Sequence, residues 1–233
     1  MSSAAATATG EKIPAYQVLG ASAATLSLLL ETLRRRHPGG ARVTVVRNTA
    51  APADELAWET PGIDTVTLAH DAWAAADRSA APCLCGVYRP GTKQAVVDFF
   101  ARHHGVAVEH YAALRHPGVE VAGTADLGAG TFIGPGVVVA PYARLGRLVS
   151  VNRSATIGHH TTLDDFCTLN PGVHIAGRCR LGVGVTVGMG ASLVDGITVG
   201  DGAVIGAGSL VTRDLPAGML AYGVPARVIG PAR

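Results

Sequence analysis

The chain has 233 residues, of which 48% are apolar and only 15% are charged, so it is long enough to bury a sizeable core. A formal net charge of +2, with no basic cluster interleaved with aromatic residues, argues against a nucleic-acid partner. No stretch of about 18 apolar residues predicts a membrane span, and the Ala/Ser/Thr-rich start lacks the regions of a signal peptide. We therefore expect a cytoplasmic protein in which residues 1–12 form a flexible tail.

Residues 13–116 alternate between strand-like and helix-like stretches. The predicted strands are rich in β-branched residues and lie at 15–19, 42–46, 65–68, 83–87 and 106–108. The predicted helices, each followed by Gly or Pro, lie at 23–36 and 92–104. This alternation predicts a small Rossmann-like α/β domain with a parallel sheet, and the crevice beyond its strand ends is the expected place for an acceptor.

A second kind of pattern covers 117–216, where every sixth residue is Val, Leu or Ile. The series is Val121, Leu127, Ile133, Val139, Leu145, Val151, Ile157, Leu163, Leu169, Ile175, Leu181, Val187, Leu193, Val199, Ile205 and Val211. A period of six is neither that of a helix nor that of a single strand, and it is typical of a solenoid in which short strands stack into flat faces. Residues 217–233 are expected to form a C-terminal loop or strand.

The other positions of each hexad support the same interpretation. The fifth position is usually small, as expected for a second inward-facing residue. Gly, Asn or Asp dominate the second position and Gly is common at the fourth, so we expect corners with left-handed backbone at both. Three hexads make a coil of eighteen residues, which predicts that Pro141, His159, Gly177 and Asp195 stack along one edge. The period does not reveal the handedness of the solenoid.

The four cysteines do not form a disulfide framework in a chain of this length. Cys167 and Cys179 fall at small inward positions and are expected to be buried free thiols. Cys83 and Cys85 lie in a strand-like run, where a metal or redox role is the alternative to burial. We expect no bound metal.

The repeat, written as [LIV]-Gly-x-x-small-x, resembles that of the hexapeptide-repeat acyltransferases. The whole chain is most similar to the branch of sugar O- or N-acetyltransferases of the sialic-acid and bacillosamine biosynthesis type. The matching segments are 151–152, 157–159, 169–172, 175–177, 205–211, 223–227 and the junction His116-Pro117. The resemblance implies a left-handed parallel β-helix after the α/β domain, acetyl-CoA as co-substrate, and a homotrimer with active sites in clefts between adjacent β-helices.

Several site residues follow from the same resemblance. It implies that His159 is the catalytic base and that Gly177, Met189 and Ala207 contact acetyl-CoA. Histidine suits this role because its pKa lies near the working pH, and the N–H of Gly177 could also help to bind the oxyanion.

Further residues are assigned around these. Asn152 matches a family position beside the site, although it could equally be a turn residue. His174, on an outward face, could contact CoA or acceptor or line the trimer seam. We also expect His160, beside the base, and Gly20 and Ser22, in the first strand-to-helix turn, to contact the acceptor.

In one respect the chain departs from the family, in which a carboxylate follows the catalytic histidine. Here His160 takes that place. The imidazole could instead be oriented by Asp164, by Asp165 or by a backbone carbonyl, or the base could be weaker.

The α/β domain also departs from the family. The second strand ends in Arg47-Asn48, where an acidic residue is usual. Two possibilities therefore stay open: the domain binds a nucleotide-linked sugar, or its ligand has changed or been lost.

The leading hypothesis is an acetyl-CoA-dependent acyltransferase that acts on an amino or hydroxyl group of a sugar or sugar-like metabolite. A non-catalytic trimeric ligand-binding or scaffold protein on the same fold is the main alternative. A zinc-dependent γ-type carbonic anhydrase needs three histidines at a trimer interface, and its spacing is not reproduced by His159, His160 and His174.

Overall fold

The computed structural model describes residues 13–49, 59–74 and 81–232. The tail predicted at 1–12 lies outside the described residues. The predicted fold class is confirmed, since a small parallel α/β domain is followed by a left-handed parallel β-helix.

The N-terminal domain contains one sheet in which all strands run parallel, in the order β3-β2-β1-β4. Its strands are β1 (Ala15–Leu19), β2 (Ala41–Arg47), β3 (Ile63–Ala69) and β4 (Cys83–Cys85). Its helices are α1 (Ala23–Arg36) and α2 (Pro90–His104). Both helices bury their apolar residues against the sheet, and this burial explains why the alternating pattern predicted the elements so closely.

The strand predicted at 106–108 is wrong. The chain leaves α2 through Gly105, which has left-handed backbone, and then forms a short 3₁₀ turn at Val108–His110. The Val106 N–H donates to the Phe100 carbonyl at 3.2 Å, and the Gly105 N–H donates to the Ala101 carbonyl at 3.0 Å. These bonds cap the helix, so the Val106 N–H is not available for a sheet ladder.

The β-helix is a triangular coil whose three faces are parallel sheets of very short strands. Face one contains β5 (Leu114–Arg115), β8 (Phe132–Ile133), β11 (Ser150–Val151), β14 (Thr168–Leu169), β17 (Thr186–Val187), β20 (Val204–Ile205) and β22 (Met219–Gly223). At its end, β23 (Ala226–Pro231) pairs with β22 as the one antiparallel strand of this sheet. Face two contains β6 (Glu120–Val121), β9 (Val138–Val139), β12 (Thr156–Ile157), β15 (His174–Ile175), β18 (Ser192–Leu193) and β21 (Leu210–Val211). Face three contains β7 (Asp126–Leu127), β10 (Arg144–Leu145), β13 (Thr162–Leu163), β16 (Arg180–Leu181) and β19 (Thr198–Val199).

Each coil is in register with the next at a spacing of eighteen residues, as in the pairs Thr156↔His174 and Leu145↔Leu163. The residues of the six-residue series point inward and are buried, except for Val121 and Leu127 in the first coil, which are half-buried. Each buried Val, Leu or Ile contributes roughly 1.5–3 kcal/mol. This ladder of aliphatic side chains therefore holds the coils in their relative positions.

The corner geometry explains the residue types at the second and fourth hexad positions, but the expected left-handed backbone is found only at the fourth. The fourth positions from 130 to 208 do have left-handed backbone, at glycines and also at Tyr142, Leu148, Ser154, His160, Phe166 and Arg178. The second-position glycines do not, although this was expected. They are small because the next coil passes very close: a Cβ at Gly128 would lie 2.6 Å from the Gly146 carbonyl carbon and 2.8 Å from the Arg147 nitrogen.

Each turn between faces stacks into a straight edge, and we name the three edges by residues on them. The Met189 edge joins face one to face two and carries residues 152–154, 170–172 and 188–190. The His159 edge joins face two to face three and carries residues 158–160 and 176–178. The Leu148 edge joins face three to face one and carries residues 146–148 and 164–166.

The N-terminal domain packs on face one and on the Leu148 edge. Leu148 is fully buried among core residues of the α/β domain, and β5 already pairs with β8 ahead of the domain boundary expected at 116. Lys93 of α2 is also buried, and its Nζ donates to the carbonyls of Leu148 at 2.8 Å and Cys167 at 3.2 Å. Burial lowers the pKa of Lys93 to about 8. These contacts hold the two domains together.

Substituting Gly128 with Ala should lower the free energy of unfolding by about 1–3 kcal/mol, because the added methyl group overlaps backbone of the next coil. The matched control is Gly123→Ala, since a Cβ at Gly123 meets nothing within 4 Å. Denaturant unfolding of the two variants measures the difference. Equal stabilities would contradict close approach as the reason for second-position glycines.

Candidate active site

The predicted stack of Pro141, His159, Gly177 and Asp195 lies along the His159 edge. A Cβ placed on Gly177 would be 2.7 Å from both Cε1 and Nε2 of His159 and 3.1 Å from Oδ1 of Asp195. The imidazole of one coil therefore leans over the glycine of the next, and the carboxylate of the following coil approaches the same point. Only glycine leaves room for this arrangement.

The backbone N–H of Gly177 makes no hydrogen bond in the described structure, and the residue is buried. Its neighbours are used within the stack, since the Ala176 N–H donates to the Leu193 carbonyl at 3.0 Å and the Arg178 N–H to the His159 carbonyl at 2.8 Å. Within the described part of the chain, the Gly177 N–H donates to no acceptor. An imidazole and a backbone N–H without an acceptor thus lie side by side on one edge.

The second nitrogen of the His159 ring contacts its neighbour in sequence. Nδ1 of His159 lies 3.1 Å from Nδ1 of His160, with the two rings nearly perpendicular. The ring of Tyr142, one coil earlier, packs against His160 with centroids 4.9 Å apart. Sequence reasoning missed Tyr142, although its place eighteen residues before His160 in the repeat could have revealed it.

The two aspartates considered as partners of His159 lie on a different edge. Asp165 is engaged by Arg147, which donates its backbone N–H at 2.7 Å and its guanidinium at 2.6 Å. Asp164 is exposed on the same Leu148 edge. The expectation that either carboxylate replaces the usual one is therefore wrong, because the corner after face three points away from the corner after face two. The backbone-carbonyl alternative is wrong as well, since His160 occupies the Nδ1 side.

Three other predicted residues, Asn152, Met189 and Ala207, fall on the Met189 edge. The Asn152 Oδ1 accepts from the Arg153 N–H at 2.8 Å, which is the contact of a turn residue. Met189 is 57% exposed. Ala207 lies one coil later and is also exposed, and its backbone nitrogen passes close to Gly188. Within one chain these residues are not brought together with His159, because the whole of face two lies between the edges.

His174 lies on face two, between the two edges. It is exposed, and its Nδ1 lies 2.9 Å from the Thr156 Oγ1 of the preceding coil. Its position on the flat face agrees with the sequence phase. The side chain lies between the residues predicted to bind CoA and the predicted base.

The turn after β1 contains the two residues expected to contact an acceptor. Gly20 has left-handed backbone, and a Cβ there would meet Val96 at 2.9 Å. Ser22 precedes α1, and its hydroxyl lies 2.7 Å from the Thr25 hydroxyl. The Ser22 N–H donates to the Gly86 carbonyl at 2.9 Å. The turn is tightly packed, and it leaves the exposed first residues of α1 facing solvent.

A cleft of about 800 Å³ lies between the two domains. It runs from the start of α2 along face one, and its lining includes Tyr88, Arg89, Gly91, Thr168 and Thr186. His159 is not among the lining residues. The sequence analysis missed this cleft because it depends on how the domains pack, which no local pattern reports.

The four cysteines are all free thiols in the described structure. Burial raises the pKa of Cys83 to about 11 and that of Cys167 to about 12. No group of His, Cys, Asp or Glu within residues 13–49, 59–74 and 81–232 could hold a metal ion. Across the same ranges, no helix has both the length and the apolar character needed to cross a membrane.

Comparison with known proteins adds three relatives, while no protein-family profile matches the chain. A serine acetyltransferase from Synechococcus elongatus is 35% identical over 122 residues, so the match spans 48% of this chain and less than half, 43%, of that protein. A histidine-to-asparagine variant of perosamine N-acetyltransferase from Caulobacter crescentus, solved with CoA and GDP-perosamine, superposes with a TM-score of 0.75. It is 26% identical, over 93% of this chain and 97% of that one.

The third relative is similar in fold. The acetyltransferase domain of PglB from Neisseria gonorrhoeae, solved with acetyl coenzyme A, has a TM-score of 0.75 at 23% identity, over 94% of this chain and 100% of that one. Both solved structures cover the α/β domain and the β-helix together. The chain therefore resembles the sugar N-acetyltransferases of the hexapeptide-repeat type and shares their two-domain architecture.

Proposed function

We propose that the chain is an acetyl-CoA-dependent N-acetyltransferase whose acceptor is the amino group of a sugar, carried on a nucleotide. The observation that carries this proposal is the stack of the His159 imidazole over Gly177, with a free backbone N–H beside it. The sequence left amino and hydroxyl acceptors open. The amine is preferred because a perosamine N-acetyltransferase resembles this chain over nearly its full length.

The proposed reaction needs no covalent enzyme intermediate. Nε2 of His159 takes a proton from the acceptor amine as its nitrogen attacks the thioester carbon of acetyl-CoA. The carbonyl oxygen becomes an oxyanion, which accepts a hydrogen bond from the Gly177 N–H. When the intermediate collapses, the carbon–sulfur bond breaks and the departing thiolate receives the proton from His159.

The separation between His159 and the residues assigned to acetyl-CoA supports an oligomer in which two copies share each site. Met189 and Ala207 are assigned to acetyl-CoA, but they lie across face two from His159, 30 and 48 residues further along the chain. We propose a homotrimer in which the Met189 edge of one copy faces the His159 edge of the next. Exposed apolar side chains support contact between copies here, since Val138, Met189 and Val194 are 41%, 57% and 39% exposed.

The residues proposed to bind the acceptor are also separated from His159 of the same chain. The α/β domain packs on face one and the Leu148 edge, whereas His159 lies between face two and face three. An acceptor held at the first turn, near Gly20 and Ser22, is proposed to react with His159 of a neighbouring copy. We keep the cytoplasm as the proposed location, since a reducing compartment suits the free thiols.

Replacing His159 with Asn should lower kcat by a factor of about 10²–10⁴, because the variant cannot accept the acceptor proton. Release of thiol from acetyl-CoA across a panel of nucleotide-linked amino sugars measures turnover. Binding of CoA, followed by calorimetry, should be unchanged. The exposed His110→Asn serves as the control for loss of an imidazole. Full activity in the His159 variant would refute the assignment, and no thiol release from the wild type would favour the scaffold alternative.

Substituting Gly177 with Ala should displace the His159 ring, because the new methyl group would lie 2.7 Å from Nε2. A displacement of about 1 Å is expected to cost up to about 100-fold in kcat. The steady-state rate is compared with that of Gly123→Ala, which adds the same methyl group in open space. Wild-type turnover in Gly177→Ala would remove the stacked base from the proposal.

A mixture of two inactive variants tests whether the groove joins two copies. His159→Asn removes the base and Ala207→Trp should block the CoA arm, so each homotrimer is inactive. Co-expressed chains should recover roughly a quarter of wild-type activity, since each groove has one chance in four of receiving both intact edges under random assembly. No recovery in mixed trimers isolated with two different affinity tags would place both edges of the site in one chain.

A further inference from the structure

The contact between the Nδ1 atoms of His159 and His160 restricts which of the two nitrogens can carry a proton. The two Nδ1 atoms are 3.1 Å apart and the rings are nearly perpendicular. Neutral imidazole carries one N–H and one acceptor nitrogen. A hydrogen bond between the two Nδ1 atoms therefore needs one of them protonated and the other not.

The two possible arrangements have opposite consequences for catalysis. If His159 donates, its proton is on Nδ1 and the lone pair is on Nε2, which lies over Gly177. If His160 donates, Nε2 of His159 carries the proton and cannot act as a base. The direction of this single hydrogen bond decides whether the edge carries a competent base.

The groups around the pair come from four coils. Tyr142 packs on the His160 ring from the preceding coil, and Asp195 approaches the Gly177 position from the far side. Arg178 occupies the corner one coil after His160. Asp165 is paired with Arg147 on another edge. Apart from His160 itself, no described group makes a hydrogen bond to Nδ1 of His159.

We propose that His160 is a positioning residue whose Nδ1 accepts a hydrogen bond from the Nδ1–H of His159 and so keeps Nε2 of His159 unprotonated. This inference rests on the proposed function, in which His159 is the base. It assigns to a neutral imidazole the task that a carboxylate performs elsewhere in the family. Tyr142 limits the rotation of the His160 ring, because the rings pack with an angle of 32° between their planes.

A neutral partner changes the response of the site to pH. A carboxylate would stabilise the imidazolium form and raise the pKa of the base. His160 provides no such negative charge, and protonation of both rings would place two N–H groups against each other. A carboxylate at position 160 would therefore alter the pH dependence of the reaction, whereas a neutral acceptor there would not.

Three substitutions at position 160 test the proposal through kcat/KM as a function of pH. His160→Ala should lower kcat about 10- to 100-fold with the KM for acetyl-CoA unchanged, because the base loses its orientation. His160→Glu should restore much of kcat and move the acidic limb of the profile upward by about one pH unit. His160→Gln keeps an acceptor without a titrating group, so it should restore kcat without that shift.

The matched control is His110→Ala, because His110 is also an exposed histidine and lies outside the β-helix. Its kcat and pH profile should equal those of the wild type. If His160→Ala also retains both, or if His160→Glu leaves the acidic limb in place, the positioning role is overturned. Loss of activity in all three position-160 variants without any shift would indicate a purely structural residue and would likewise overturn it.

A second measurement separates this proposal from the proposed function. Nitrogen-15 NMR of labelled histidine, assigned with the His159→Asn variant, reports which ring nitrogen of His159 is protonated. Nδ1 protonation in the wild type, lost or mixed in His160→Ala, supports the positioning role even if no acetyl transfer is found. Nε2 protonation of His159 in the wild type overturns it regardless of activity.

Discussion

The eighteen-residue register between coils is the constraint on which the rest of the structure depends. Parallel strands lie about 4.8 Å apart, so any residue has a neighbour eighteen positions away directly above it. Buried Val, Leu and Ile side chains hold this register from inside, and second-position glycines allow the corners to approach. A slip of even one residue would turn the inward series outward and expose the core.

This register also builds the candidate site. The side chain of His159 extends along the β-helix, so its ring lies over the position one coil later. Gly177 is that position, and its missing side chain makes the space that the ring occupies. Base and backbone donor are thus juxtaposed by the repeat itself, without a loop or an inserted element, which is how the two groups are held rigidly.

The proposed function depends on more than one edge. The residues assigned to acetyl-CoA, to the base and to the acceptor lie on the Met189 edge, the His159 edge and the α/β domain. A triangular solenoid separates its edges by whole faces, so a single copy cannot bring all three to one point. The separation is also why Lys93 and Leu148 matter, because they fix the α/β domain on one side of the triangle.

The sequence by itself determined the β-helix, the parallel sheet and the stacking of His159 over Gly177, because each depends only on a short period or on local patterning. It also singled out most of the α/β elements, and it failed at 106–108, where a helix cap uses the N–H that a strand would need. Tertiary structure decided the rest. The contact between His159 and His160, the engagement of Asp165 by Arg147 and the cleft between domains depend on side-chain direction and on packing between distant segments. Spacing along the chain carries no information about these, since a residue type at a corner does not say which neighbour its side chain meets.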